Sequence, residues 1–242
     1  MNILLSMATI QERPGIFKTV TQAGCRVLLD SGAYTNFNRG AQIVTIQKYI
    51  RFIEKNFDKL WRYVNLDVIG DPEKSRTNFR EMTRHGLNPV PVITPGISIK
   101  ELKEINDSET LVAIGGTARM KPASKMEVLR IYHAAGLDLR RSHILGCSNA
   151  QVIHRFRPAS FDSCTFSLCS ANGAMLEYDP RIPALRQVMG KQPGNVHPKI
   201  LNAIESFKFA KDAATWGSTF FFVVGNTTDF RYIQEGRQIY ED

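Results

Sequence analysis

Cysteine is scarce in this sequence, with four residues in 242. Cys25, Cys147, Cys164 and Cys169 form no C-x-x-C pair, and no histidine sits beside them at metal-finger spacing. A structural zinc site is therefore not expected. Cys25, Cys147 and Cys164 lie in or beside apolar runs and are expected as reduced core residues. Long apolar runs are missing too. No window approaches the roughly 18 continuous apolar residues of a membrane span. The N-terminus lacks a long apolar core followed by a small-residue cleavage site. The expectation is a soluble, cytoplasmic protein with no membrane partner. There is no internal repeat, low-complexity segment or long linker, so residues 1–242 are expected to form one domain. Acidic residues are the minority among charges, 23 against 31 Lys plus Arg, which gives +8 and a pI near 9.4. Such a surface favours anionic partners, nucleic acid among them. A basic but merely solvated surface is the plain alternative.

What the chain does have is rhythm. Short apolar runs read as strands at Asn2 to Ser6, Arg26 to Leu29, Arg62 to Leu66, Val90 to Thr94, Leu111 to Ile114, His143 to Leu145, Ser160 to Asp162 and Thr219 to Val224. Helical spacing falls between them. Ile43, Ile46, Tyr49, Ile50, Ile53 and Phe57 recur at threes and fours and predict an amphipathic helix over residues 41–60. Further helices are predicted over 14–23 (helix or loop), 73–85, 98–105, 124–135, 149–156 and 198–215, with Ser98 as an N-cap and Pro72 at a helix start. Tyr34 to Gly40 reads as a polar, aromatic loop, and Met175 to Met189 is ambiguous. Strand and helix thus alternate with a period of roughly 25 to 35 residues, which argues for a parallel β/α fold. Eight strands in a chain of this length fit a single (β/α)₈ barrel, which needs about 250 residues.

Three of the strands end in an acid. Leu28-Leu29-Asp30-Ser31-Gly32-Ala33-Tyr34 is the stretch around which the chain seems organised, and Asn65-Leu66-Asp67 and Ser160-Phe161-Asp162 repeat its design. A fourth strand runs into Gly115-Gly116 instead. An acid at the end of a buried strand is costly unless it has a partner or a task. In β/α barrels the reacting groups sit at the C-terminal strand ends. The bland alternative is that a strand-end Asp caps a turn or the next helix, as Asp71-Pro72 does on its face.

These residues carry a resemblance. Asp30-Ser31-Gly32-Ala33-Tyr34 resembles the Asp-Ser-Gly-Gly-Phe motif of the tRNA-guanine transglycosylase superfamily. Asp67 resembles that family's second Asp, and Gly115-Gly116-Thr117-Ala118 its Gly-Gly-Leu-Ala segment. Leu145-Gly146-Cys147 and Phe161-Asp162-Ser163-Cys164 resemble its glycine-bearing strand and nucleophile segment. The motifs occur in family order over roughly residues 27–164, with wording closest to the short, phage-associated branch, which includes DNA transglycosylases. The resemblance implies a (β/α)₈ barrel and exchange of a guanine for a 7-deazaguanine base of the preQ0/preQ1 type, with no cofactor. It implies that Asp162 is the nucleophile and Asp30 the general acid and base. It also implies that Asp67, Ser31, Gly32, Tyr34, Gly115 and Gly116 form the base pocket. The tRNA enzymes carry a C-terminal zinc site of three cysteines and a histidine. Here no cysteine follows Cys169, so no zinc subdomain is expected and DNA is favoured over tRNA. If the protein is phage-encoded, its compartment is the host cytoplasm.

Basic residues near the mouth of such a barrel, Arg39, Lys74, Arg76, Arg119, Lys121, Arg155 and Arg157, are candidates for phosphate contacts. His143 and His154 have no Ser or Cys at a recognisable catalytic spacing and are read as structural or close to phosphate. Three alternatives stay open: the same exchange on tRNA, an N-glycosidic hydrolase, and a non-catalytic nucleic-acid-binding barrel. A homodimer or a partner subunit is left open as well.

Overall fold

The computed structural model describes residues 1–40, 43–117, 120–182, 184–189 and 195–242. Ala118 and Arg119 lie outside them. Eight parallel strands form the sheet: β1 (Asn2–Ser6), β2 (Arg26–Asp30), β3 (Arg62–Tyr63), β4 (Val92–Ile93), β5 (Val112–Ile114), β6 (Ser142–Ile144), β7 (Ser160–Ser163) and, after a hairpin of β8 (Ala174–Asp179) and β9 (Ala184–Met189), β10 (Thr219–Val223). Their order is β3-β2-β1-β10-β7-β6-β5-β4, so every strand lies beside its neighbour in the chain. The ring closes where Val64 bridges Val90 in parallel, flanked by Asn65 N–H to Val90 O at 2.8 Å and Val90 N–H to Tyr63 O at 2.9 Å. The protein is a (β/α)₈ barrel.

The seam of the ring is short for a reason visible in the sequence. Pro89 and Pro91 flank Val90 and have no N–H to donate. Pro91 still accepts a bond from Ala113 N–H at 2.8 Å, and β4 proper begins only at Val92.

Side chains alternate between two cores, as the period of two requires. Leu4, Leu28, Val64, Val90, Ala113 and Phe221 point into the barrel and pack with Trp61, Val92, Leu111, Leu145 and Val223. Ile3, Leu5, Val27, Leu29, Tyr63, Ile114, Ile144, Phe161, Phe220 and Phe222 point out, against the helices. The outer core is much the larger. Each fully buried Leu, Ile or Phe in it contributes about 1.5–3 kcal/mol relative to an exposed one, so the strand–helix layer carries most of the stability.

The helices fall close to their predicted positions. Asp71 caps the Pro72–Arg84 helix by accepting from Lys74 N–H at 3.0 Å, Ser98 caps Ile99–Ser108, and Asn149 caps Ala150–Phe156. The predicted helix over 41–60 is shorter, Ile46–Asn56 followed by a 3₁₀ turn, because Thr45 caps it. Residues Tyr34 to Gly40, expected as a loop, are a helix, Ala33–Arg39, bounded by left-handed Gly32 and Gly40. Met7–Glu12, Thr165–Ala171 and Thr227–Glu241 are helices that the apolar spacing did not announce. The ambiguous stretch is the antiparallel hairpin β8–β9, laid on the Pro198–Thr215 helix. There Asn202 bonds Leu176 N–H and Ala174 O, and Tyr178 donates to Asp212 at 2.7 Å. No described helix is long and apolar enough to cross a membrane.

Candidate active site

Strand alternation decides which groups reach the axis. Asp30 has the inward phase of Leu28, and Asp162 lies opposite Phe221 of β10 with the same inward phase. Asp67 would face outward if β3 simply continued beyond Val64. It does not continue, because Asp67 N–H turns back to Asn65 O at 3.0 Å in a three-residue turn. The turn shifts the phase by one. Leu66 joins the outer core and Asp67 meets the β2 loop, where Ser31 Oγ lies 3.4 Å from its Oδ1. Asn78 clamps the turn from the next helix by donating to Leu66 O at 2.7 Å.

The β2 loop is equally constrained. Asp30 Oδ2 accepts from Gly32 N–H at 2.9 Å, and buried Ser31 accepts from Ala33 N–H at 3.3 Å. Gly32 has φ +84°, and a Cβ there would sit 3.0 Å from both Ala8 Cβ and Ser6 Oγ. Glycine is therefore required twice, by conformation and by space. Behind the two acids, buried Tyr49 donates its hydroxyl toward Val64 O (2.8 Å) and Leu29 O (3.3 Å), tying β2 to the chain after β3. Burial pushes its phenol well above the ordinary range, with the charges of Asp30 and Asp67 adding to the effect.

Asp30 and Asp67 resist ionisation. Burial pushes the Asp30 carboxyl up to about 6, the Asp162 charge adding and the Gly32 N–H opposing. Burial also pushes Asp67 up to about 7, with Asp30 as the neighbouring charge. Both therefore titrate near neutrality, a property common among acids that move protons.

Asp162 is held differently. One oxygen, Oδ1, accepts from Gly146 N–H at 3.0 Å and lies 3.0 Å from His143 Nε2. Asp162 O accepts from Cys147 N–H at 2.8 Å, so the β6 loop grips the residue from backbone and side chain together. His143 is 1% exposed and its Nδ1 lies 2.8 Å from Ser160 Oγ. Lys125, buried on the Pro122–Ala134 helix, donates to Gly146 O at 3.3 Å and steadies that loop. Among the described residues, Asp162 Oδ2 has no hydrogen-bond partner.

Gly115 and Gly116 have packing reasons to be glycine. A Cβ on Gly115 would lie 2.9 Å from Val92 Cγ1, and one on Gly116, at φ +70°, would lie 3.0 Å from Pro95 Cδ. Tyr34 stands in the first turn of its helix and is 46% exposed, three residues before exposed Phe37.

The basic candidates divide by position. Arg39 pairs with Glu12, Lys74 with Asp71, and Arg76 with Glu73 and Glu101, all near helices that begin at the acid end of the barrel. Lys121 precedes the Pro122–Ala134 helix at the same end and is exposed. Arg155 and Arg157 lie at the end of the Ala150–Phe156 helix, where the chain returns to the start of β7. Their neighbour His154 meets Trp216 edge-on at 4.8 Å, just ahead of β10. They belong to the opposite end of the barrel, because a helix that follows a strand runs back along it. Arg119 lies outside the described residues.

The sequence did not single out Lys125 or Tyr49 for the site, and it read His143 only as structural or close to phosphate. His143 had a signal: it shares the inward phase of Leu145, as Ser160 shares that of Asp162. Among the described residues no group of three His, Cys, Asp or Glu is arranged to hold a metal. Burial pushes all four cysteine thiols up, which is the behaviour of packing residues rather than nucleophiles. No protein-family model matches the chain, and no curated protein is similar to it in sequence.

Proposed function

We propose that this barrel is a nucleic-acid guanine transglycosylase that replaces a guanine by a 7-deazaguanine base, in DNA in preference to tRNA. The observation that carries the reading is the division of labour among the acids. Among the described residues Asp162 offers one oxygen with no partner while its other oxygen is gripped by donors, and burial pushes the Asp30 carboxyl beside it up to about 6. A nucleophile and a proton carrier are what exchange at a glycosidic carbon needs.

Asp162 attacks C1′ of the target nucleotide, and the bond from C1′ to the base breaks with its electron pair leaving on guanine. Protonated Asp30 supplies the proton that neutralises the departing base. The incoming 7-deazaguanine then loses a proton to Asp30, its ring nitrogen attacks C1′, and the ester to Asp162 breaks to restore the carboxylate. Asp67 meets the polar edge of the base, presented by Ser31. Gly115 and Gly116 leave backbone at the pocket wall, and Tyr34 stacks a neighbouring base. The target base must leave its stack to reach the mouth.

The test is incubation of the full chain with guanine-labelled duplex DNA and, separately, labelled tRNA, with and without 7-deazaguanine bases. Label release and covalent adducts on a denaturing gel are the readouts. Release from DNA that requires an acceptor base is expected. Release without an acceptor would make the protein a hydrolase, and release from neither substrate would leave a binding role.

A further inference from the structure

We infer that His143 is the positioning residue of the nucleophile, fixed by Ser160 as the neutral Nε2–H tautomer, and that it makes Oδ2 of Asp162 the attacking oxygen. The inference rests on the transglycosylase reading for its chemistry, but its geometry is independent of that reading.

The partners determine the tautomer. A carboxylate that is to attack carbon has no proton to give, so the 3.0 Å contact from His143 to Oδ1 needs its proton on Nε2. In the neutral ring Nδ1 presents a lone pair, which the Ser160 hydroxyl fills by donating across 2.8 Å. The arrangement is a one-way chain, Ser160 to His143 to Asp162, running between adjacent strands in which His143 lies directly opposite Ser160. The imidazole cannot turn to offer another edge. It is 1% exposed, and the Phe221 ring stands edge-on to it at 5.8 Å.

With His143 and Gly146 both donating to Oδ1, the lone pairs of Oδ2 are the ones left for C1′. When the bond from Oδ2 to C1′ forms and the bond from C1′ to the base breaks, Oδ1 becomes the carbonyl oxygen of the ester and keeps both donors. When the incoming base attacks, the C1′–Oδ2 bond breaks, its electron pair returns to Oδ2, and the charge spreads to Oδ1. The two N–H groups already aim at that oxygen, so they assist departure of the carboxylate without reorganisation. His143 thus acts on the carboxylate rather than on the substrate, and its loss should appear in kcat and not in KM.

Four forms of the full chain separate the outcomes: wild type, His143→Phe, His143→Gln and Ser160→Ala, each checked for a wild-type-like melting transition. They are assayed on labelled DNA and tRNA with a 7-deazaguanine acceptor. Removing a donor to a developing oxyanion is expected to lower kcat about 10²–10³-fold in His143→Phe, with KM within about twofold. His143→Gln keeps an N–H donor of similar reach and is expected to stay within about tenfold of wild type, with Ser160→Ala between the two. A His143→Phe enzyme with wild-type kcat, or equal losses in the Phe and Gln forms, overturns the inference and leaves the transglycosylase reading standing. A wild type that forms no adduct with either nucleic acid overturns that reading and the catalytic role with it. Nitrogen-15 shifts of the His143 ring in the wild-type protein test the tautomer without any assay. An Nε2–H imidazole at neutral pH is expected, and an Nδ1–H form or an imidazolium would overturn the assignment even if the variants fail to fold.

Discussion

The two ends of the barrel treat charge in opposite ways. At the N-terminal end the Arg26 guanidinium lies 3.7 Å over the Trp61 ring, Arg62 lies 5.8 Å from it on the sequence-adjacent strand, and Trp61 stacks on Phe221 at 5.3 Å inside the barrel. Cations there rest on aromatic faces, and the end is closed. At the C-terminal end three carboxylates converge, and among the described residues neither Asp30 nor Asp67 has a salt-bridge partner. The same strands with the same alternation produce both ends. One is optimised for packing. The other keeps electrostatic repulsion that the fold could have removed with a single lysine. A cluster of this kind is common at functional sites, and the proposed reaction is placed on it for that reason.

The sharpest way to break the contrast is to remove the proposed nucleophile. Asp162→Ala should reduce exchange by more than about 10³-fold while nucleic-acid binding is largely kept. Loss of binding with turnover retained would remove Asp162 from the chemistry. Phe221→Ala should open a cavity under Trp61 and loosen the His143 ring that Phe221 meets edge-on. A loss of about 3–5 kcal/mol is expected, read from the denaturant midpoint.

A smaller effect tests the acids as a stability liability. Asp30 and Asp67 have folded pKa values, about 6 and about 7, above the ordinary 3.8. Between about pH 4 and pH 7 the folded chain therefore binds more protons than the unfolded chain, and stability falls as pH rises through that window. The variant Asp30→Asn with Asp67→Asn should lose this slope. Relative to wild type it should gain about 4 kcal/mol between pH 5 and pH 8 by denaturant titration. A parallel pH profile in the two proteins would show that the acids are not strained. The smallest effect separates the basic residues: Lys121→Glu, at the acid end, should weaken DNA binding several-fold and flatten its salt dependence. Arg155→Glu with Arg157→Glu, at the closed end, should change it by less than about twofold. Equal losses would place nucleic acid at both ends.

Much of this was legible in the chain. All eight barrel strands lie where short apolar runs stand between turn residues, and Asp30 and Asp162 follow from the period of two. Asp67 does not follow from it, since its inward position depends on a three-residue turn that no spacing rule announces. The Ala33–Arg39 helix was hidden because its residues are polar and aromatic, and it is defined by two left-handed glycines rather than by an apolar stripe. The β8–β9 hairpin was hidden because one strand is largely exposed, so alternation is weak there. The bond from His143 to Asp162 was not foreseen because the partners come from a neighbouring strand and not from a nearby position in the chain.

The proline-flanked seam has a consequence for motion. Where Val64 meets Val90 the ring is held by a single bridge and the bonds beside it, whereas β1 and β2 share a full five-residue ladder. Local opening follows the path with fewest bonds to break, so amide protons at Asn65 and Val90 should exchange with solvent sooner than those of β1. Asp67 sits two residues past the seam and is tied through Ser31 to the end of β2, on the same side of the gap as β3. That tie braces β2 against β3 and leaves the β3–β4 seam to open on its own, so exchange at Asn65 and Val90 should be little changed by Ser31→Ala.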